Sequence, residues 1–473
     1  MTTMTLPALA AIFLALGADQ APLKAGAATS NITPPLGVGI VGGFVPFPAT
    51  HVHDELHARC LVLDDGAGKL AIVVCDLLGI DRIVSDQARE LIQKDLGIPF
   101  ERILISATHT HSAGSALGND PRVIKQTMDE YQRFVALRIV DGVKRANNLL
   151  RPAEIGIGAV DISEHVFNRR WYLRDGSMPP NPFGSIDKVK MNPGAGSKDL
   201  LEPAGPTDPT VSFLTVREAG GGKPIALFAT YSLHYVGGVG SGHISSDYFG
   251  MFCESLAEKA GAPGQPVPFV GLLANGTSGD INNINFRAPR GARKPYEQMR
   301  HVAEDVAAKV AGAAAKVAYK GQARLDARYR ELQVGTRRPD AAMLEWADKT
   351  IADSSKDPAK GNLPAIYARR VKRMAEHPAT LPMPLQVLRV GDAAVATMPC
   401  EVFCEIGLEY RKRSAIKPAW MVSLAHGYYG YLPTPKHHSL GGYETWMGTN
   451  RLEVKASEIM LEQLLAMTAE LAR

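Results

Sequence analysis

Two histidines two residues apart, at the end of an apolar run, are the strongest chemical signal in this chain. The run Ile103–Ala107 reads as a buried strand, and it leads into Thr108-His109-Thr110-His111. Along an extended strand, residues i and i+2 share a face, so both imidazoles are expected to reach one site. Neutral imidazole is the commonest biological metal ligand; a hydrogen-bonded pair of core or loop histidines is the alternative. A further histidine, His234, follows closely on a second apolar run, Pro224 to Thr230. Glu401 stands where the run Ala393–Thr397 gives way to a predicted helix. A carboxylate there suits a metal, and it equally suits the helix dipole. Tyrosines punctuate the Gly-rich stretch Gly427–Thr434, which continues to Tyr443-Glu444. Such tyrosines pack or line a pocket. Lastly, Asn275-Gly276-Thr277-Ser278-Gly279-Asp280-Ile281-Asn282-Asn283 follows a buried run and can present backbone N–H groups and amide side chains to an oxyanion.

The elements that must carry these residues are legible as apolar runs. Strands are predicted at 58–64, 69–75, 103–107, 154–160, 211–216, 224–230 and 268–273, with a hairpin over 385–397 turning at Gly391-Asp392. Helices are predicted at 81–96, 120–150, 247–260, 301–318, 401–414 and 453–473, the third capped by Ser246 or Asp247. Strands and helices mix without a linker, which predicts an α/β fold: a single large domain with a mixed β-sheet core flanked by helices and the site at strand ends. The Gly/Pro-rich stretch 28–50 reads as turns and a wrapping loop, and 173–210 and 352–363 as surface excursions. A helical subdomain or lid is expected over 339–376.

Composition narrows the function. The 473 residues are 45% hydrophobic, with 52 Lys and Arg against 48 Asp and Glu, a net +4 that argues against nucleic acid as partner. Five cysteines (Cys60, Cys75, Cys253, Cys400 and Cys404) are too few and odd in number for a disulfide framework. Cys400 and Cys404, four apart, read as packing groups rather than a two-thiol metal site. His51, His53, Asp54 and His57 form another polar cluster with metal-compatible spacing, read here as a loop. The apolar run Leu6–Gly17 is too short to span a membrane and fits a secretory signal, although no positive charge precedes it. It predicts a secreted or periplasmic protein, with residues 1–27 as signal peptide and leader and a mature N-terminus between Ala18 and Ala28.

In their order, the five segments resemble the neutral/alkaline non-lysosomal ceramidase family, from Asn31-Ile32-Thr33-Pro34 to the final helix. The resemblance implies a Zn2+ site built from His109, His234, Glu401 and Tyr431, the last from the Tyr-x-x-Tyr-x-x-Thr pattern of Tyr428, Tyr431 and Thr434. It places His111 beside the metal in a catalytic or substrate role and Tyr443 as a pocket tyrosine that aids catalysis. Asn168-Arg169 matches the family's Asn-Arg, which makes Arg169 the substrate-side arginine. The implied activity is zinc-dependent hydrolysis of an amide bond in an N-acylated small molecule or lipid, ceramide-like or otherwise. A peripheral membrane contact is compatible with that substrate.

Two departures qualify the resemblance. Where the family's ceramidases carry Gly-Asp-Val-Ser-Pro-Asn, this chain has Gly279-Asp280-Ile281-Asn282-Asn283, so the serine position is Asn282 and Ser278 does not match it. The nucleophile is therefore expected to be a zinc-activated water, with Asn282 donating to an oxyanion or holding that water. Against the family's pattern, the 473 residues are expected to hold no C-terminal β-sandwich domain. Cleavage of an ester, lactone, carbamate or short peptide amide on the same scaffold, or a non-catalytic protein that kept the pocket, are the competing readings.

Overall fold

The computed structural model describes residues 21–43, 45–117, 127–354 and 362–473. The run Leu6–Gly17 and the opening of the helix expected from residue 120 lie outside them. The largest sheet is built from β1 (Lys24–Asn31), β2 (His57–Asp64), β3 (Lys69–Cys75), β4 (Ile103–Ala107), β5 (Arg151–Asp161), β6 (Thr210–Glu218), β7 (Pro224–Tyr231) and β8 (Val270–Asn275). Their spatial order is β8-β7-β6-β5-β1-β2-β3-β4, with the short strand Tyr319–Lys320 added on β5. Neighbours are antiparallel except at the two ends, where β3–β4 and β7–β8 run parallel. This is the mixed sheet that the sequence predicts.

A second sheet, ordered β9-β10-β11-β12, comprises Leu325–Gly335 (β9), Thr380–Val390 (β10), Ala393–Thr397 (β11) and Ala419–Val422 (β12). Side chains alternate across each strand, so each sheet has two faces to bury. Leu61, Ile72 and Phe228 of the large sheet pack against Leu388, Val395 and Trp420 of the second. The opposite face of the large sheet is covered by helices. Val62, Val73 and Ile105 meet α1 (Arg82–Leu96) and α2 (Glu130–Asn148). Phe213 and Leu227 meet α3 (Asp247–Lys259) and α4 (Glu297–Ala314). The far face of the second sheet is covered by the helices Cys404–Arg413 and Ala456–Ala472. The layers therefore run helix, sheet, sheet, helix, and burial of both faces explains why most strands read as continuous apolar runs.

Three local expectations change. Residues 28–31, read as part of a loop, belong to β1, which starts at Lys24 and sits in the middle of the large sheet. The helix expected from Glu401 begins at Cys404, and Glu401–Val402 is instead a two-residue strand parallel to Tyr431–Leu432. Ser246 occupies the N-cap position of α3 without capping it, because its hydroxyl donates to Asp54. Between 339 and 376, two helices, Ala341–Ser354 and Leu363–Glu376, pack on each other through Ala347, Ala368 and Val371.

Candidate active site

The carboxyl ends of several strands converge on one place, where side chains can meet without the chain crossing the core. Asn275, at the end of β8, donates from its amide to the Thr108 carbonyl just past β4, so the two edges of the large sheet are tied together. Segments after β12 bridge them further: Ser423 N–H donates to Asn275 O, and Ala107 N–H to Leu424 O. Sequence segments far apart in the chain thereby surround one volume.

His109 and His111 reach that volume by a different route from the one expected. The strand ends at Ala107, and His109 takes a left-handed backbone, φ 76°, a sparsely populated state for a non-glycine residue and one that clusters at functional sites. Its N–H donates to Leu77 O, which holds the turn. The two rings still converge, with His111 Nε2 3.2 Å from His109 Nε2. His234, three residues past the end of β7, brings its Nε2 within 3.1 Å of His109 Nε2. Glu401 Oε2 lies 3.3 Å from His109 Nε2 and 3.7 Å from His234 Nε2.

The hydrogen bonds behind these rings decide what the cluster can hold. His109 Nδ1 donates to Leu78 O at 2.7 Å, and His234 Nδ1 donates to Ser278 O at 3.0 Å. A carbonyl only accepts, so each neutral ring carries its proton on Nδ1 and turns an Nε2 lone pair inward. Two lone pairs 3.1 Å apart, beside a buried carboxylate oxygen that accepts no hydrogen bond, are a donor set that suits a metal cation, with the Arg169 guanidinium 3.4 Å from His234 Nε2 as the neighbouring positive charge. Two ligands of a tetrahedral zinc, each about 2.0–2.2 Å from it, stand roughly 3.3–3.5 Å apart, close to the spacings seen here. Among the described residues, His109, His111 and His234 are the one group of three or more His, Cys, Asp or Glu side chains whose ligand atoms all lie within 4.8 Å. The residues thus fit a metal ion.

The surrounding shell fixes this geometry. Glu401 Oε1 accepts from Tyr428 OH at 2.7 Å. Burial alone would raise the Glu401 carboxyl, but His109, Tyr428 and Arg169 more than offset it and hold it below the usual value. Tyr431 is paired in register with Glu401 across the two short strands, so the two side chains share a face. Burial and then the Glu401 charge push its phenol well above the ordinary value, with Arg169 opposing. The Arg169 guanidinium stands 5.3 Å from the Tyr431 ring. Its Nε donates to Glu444 Oε1 at 3.0 Å and one terminal nitrogen to Gly279 O at 2.7 Å, which leaves the other terminal nitrogen 3.4 Å from His234 Nε2. His111 stacks on Tyr235 with ring centroids 3.7 Å apart, and burial, followed by His109 and Arg169, pushes it well below its ordinary pKa.

A cavity of about 400 Å³ opens onto the cluster, lined in part by His111, Arg169, His234, Tyr431, Tyr443 and Trp446. Six of the expected site residues therefore meet here, at the cluster or on its wall, and Glu401 joins them from behind Tyr428. Asn282 does not join them. Its amide donates to Asn192 Oδ1 at 3.0 Å, and Asn192, not Asn282, lines the cavity. The loop 275–283 does not serve as a backbone oxyanion site either. The N–H groups of Gly276, Thr277, Ser278, Gly279 and Ile281 are already bonded within the fold. Its role is packing: a Cβ on Gly279 would fall 2.5 Å from Glu401 O, so only glycine lets the loop lie against that strand.

Sequence reasoning missed Glu444. Fully buried, it binds Arg169 through Oε1 and Arg170 through Oε2, at 3.0 and 2.7 Å. The adjacent arginines Arg169-Arg170 were the available signal, since two buried cations demand a buried anion. The cluster His51, His53, Asp54 and His57 forms no such metal group among the described residues. His53 stacks on Tyr296, and Asp54 accepts from Ser245 and Ser246. All five cysteines are buried free thiols, and burial raises Cys400 and Cys404 above the ordinary value.

The fold is a layered α/β architecture, and at its strand ends a buried imidazole and carboxylate cluster that fits a metal ion lies beside an aromatic-walled cavity. The chain belongs to the neutral/alkaline non-lysosomal ceramidase family, whose N-terminal domain profile matches residues 24–290, more than half of it. Its fold is similar to the crystal structure of neutral ceramidase from Pseudomonas aeruginosa, with TM-score 0.69 and 19% identity over 96% of this chain and 75% of that one. It is also similar to a ceramidase complexed with C2, with TM-score 0.70 and 17% identity over 95% and 75%. No curated protein matches the chain.

Proposed function

We propose that this protein is a zinc-dependent amidohydrolase acting on an N-acyl lipid or a related N-acyl compound. The observation that carries the reading is the convergence of two Nε2 lone pairs and a carboxylate oxygen that accepts no hydrogen bond, next to a cavity that His234 lines. His109, His234 and Glu401, with Tyr431 beside them, would hold a zinc ion, which when bound would supply Lewis acidity and lower the pKa of a water towards about 7. Arg169 offers a fixed guanidinium N–H to the oxygen that gains charge, and needs no reorganisation because Glu444 and Gly279 O already hold it. His111 Nε2 is the group placed to take a proton from the attacking water and return it to the leaving nitrogen. Tyr443, on the wall beside Tyr431 with ring centroids 5.9 Å apart, orients the substrate.

A water nucleophile, rather than Ser278, is supported by the packing around that serine. Its hydroxyl donates to Asn275 Oδ1 at 2.7 Å, and the nearby His234 Nδ1 carries its proton towards Ser278 O. No base faces the Ser278 hydroxyl from that ring. The export inferred from Leu6–Gly17 is part of the same proposal, and sequencing the mature N-terminus from the native host tests it. The activity is tested by incubating zinc-loaded protein with a fluorescent N-acyl sphingoid base and with the ester of the same acyl chain. Release of amine and acid, abolished in His109→Ala, supports the reading. Cleavage of the ester with the amide untouched overturns it.

A further inference from the structure

The cavity wall carries charge as well as apolar surface. Lys190, on the short strand Val189–Met191, is half-buried and lines the cavity, and its ammonium has no hydrogen-bond or ion-pair partner among the described residues. The single carboxylate among the lining residues, Asp187, is engaged by two neutral donors, Asn181 Nδ2 at 3.0 Å and Trp446 Nε1 at 2.8 Å. A second source of positive potential stands nearby. The exposed segment Arg287–Lys294 holds four cations and no carboxylate. Arg287 within it stands 4.9 Å over the ring of Trp171, the register partner of Lys190 on the neighbouring strand. Arg290, Arg293 and Lys294 have no ion-pair partner among the described residues.

A lone ammonium in a largely apolar wall loses hydration without a partner, an arrangement that favours an incoming anion. Unpaired cations on the surface near a cleft raise the local concentration of anionic substrates. Met178, Pro179, Pro180, Leu363 and Trp446 supply the apolar wall that suits an acyl chain, which leaves the polar side for the amine half. We propose that the substrate is an N-acyl compound whose amine half carries an anionic group, a carboxylate or a phosphate, met by Lys190 and drawn in by the segment around Arg290. This rests on the amidohydrolase reading above and sharpens it to a substrate class distinct from neutral N-acyl sphingoids.

The test compares kcat/KM of the zinc-loaded protein for N-dodecanoyl glycine, its neutral glycinamide counterpart and the phosphate ester of N-dodecanoyl ethanolamine. The wild type is expected to favour the anionic substrates by about tenfold or more, the scale of one charge-assisted hydrogen bond. Lys190→Ala should remove most of that ratio and Lys190→Arg should restore it. Arg290→Ala, on the exposed segment, should lower the ratio less and flatten its decline with salt. The larger of the two anionic ratios identifies the anion. A wild-type ratio near one, or a ratio unchanged in both Lys190→Ala and Arg290→Ala, overturns this inference while leaving amide hydrolysis standing. Failure to cleave any of the three together with the sphingoid amide removes the amidohydrolase reading, and this inference with it.

Discussion

Glu444→Gln is the substitution whose effects separate most cleanly into stability and catalysis. Glu444 is fully buried and neutralises two buried guanidiniums, with bonds of 3.0 Å to Arg169 and 2.7 Å to Arg170. Removing one partner of a buried ion pair costs about 3–5 kcal/mol, because the remaining charge stays desolvated. Glutamine keeps the shape and one acceptor oxygen, so the lower end, about 3 kcal/mol, is expected. For a chain of 473 residues that corresponds to a fall in Tm of roughly 3 °C. The catalytic effect is separate. Arg169 loses the bond at Nε that aims its other terminal nitrogen at the cluster, and misplacement of such a group by about 1 Å costs up to about 100-fold in rate. Arg170 shares Glu444 but turns its other terminal nitrogen to Gly441 O, away from the cluster. Arg170→Gln should therefore lower Tm comparably and reduce kcat much less. Thermal melts and kcat at saturating zinc measure both. A Glu444→Gln protein with an unchanged Tm and full turnover, or an Arg170→Gln protein that loses as much turnover, would refute the reasoning.

Gly42→Ala should cost about 10- to 100-fold in kcat/KM with zinc content unchanged. Gly42 has φ 131°, and a Cβ there would fall 2.6 Å from His111 Nδ1, so the substitution displaces a proton-transfer group and not a ligand; metal analysis beside kinetics checks this. Asn282→Ala should raise KM a few-fold with little change in kcat, since it touches the cavity only through Asn192. Ser278→Ala should keep most activity, because the carbonyl that orients His234 survives the change, and trapping an acyl group on Ser278 would contradict it. Burial pushes the Asp280 carboxyl up to about 6, against an ordinary value of 3.8. The folded state then binds more protons than the unfolded between about pH 4 and 6, so this group's contribution to stability falls as pH rises through that window. In Asp280→Asn that contribution should be gone from the pH profile of Tm, and identical profiles would count against it.

Much of this site was legible because His109 and His234 follow strands buried on both faces, and such strands announce themselves as unbroken apolar runs. Ile103–Ala107 was located to the residue, and Pro224–Tyr231 to within one. β1 escaped because its sequence, Lys-Ala-Gly-Ala-Ala-Thr-Ser-Asn, answers to close packing and not to strand propensity. A Cβ on Gly26 would lie 2.1 Å from Ala146 O of α2, so the helix dictates small residues where β-branched ones would mark a strand. His109 and His111 converge through a left-handed turn that no pattern of alternation encodes. Arg169-Arg170 signalled a buried anion but not which one, because Glu444 lies 275 and 274 residues away and local sequence carries no record of such pairing.

The most direct measurement of the central claim is zinc stoichiometry per chain, by elemental analysis after reconstitution and exhaustive dialysis. Wild type should retain one zinc. His109→Ala, His234→Ala and Glu401→Ala should each lose most of it while remaining folded by circular dichroism, and Tyr431→Phe should keep more than any of the three. A His109→Ala protein that holds a full equivalent of zinc would contradict the account.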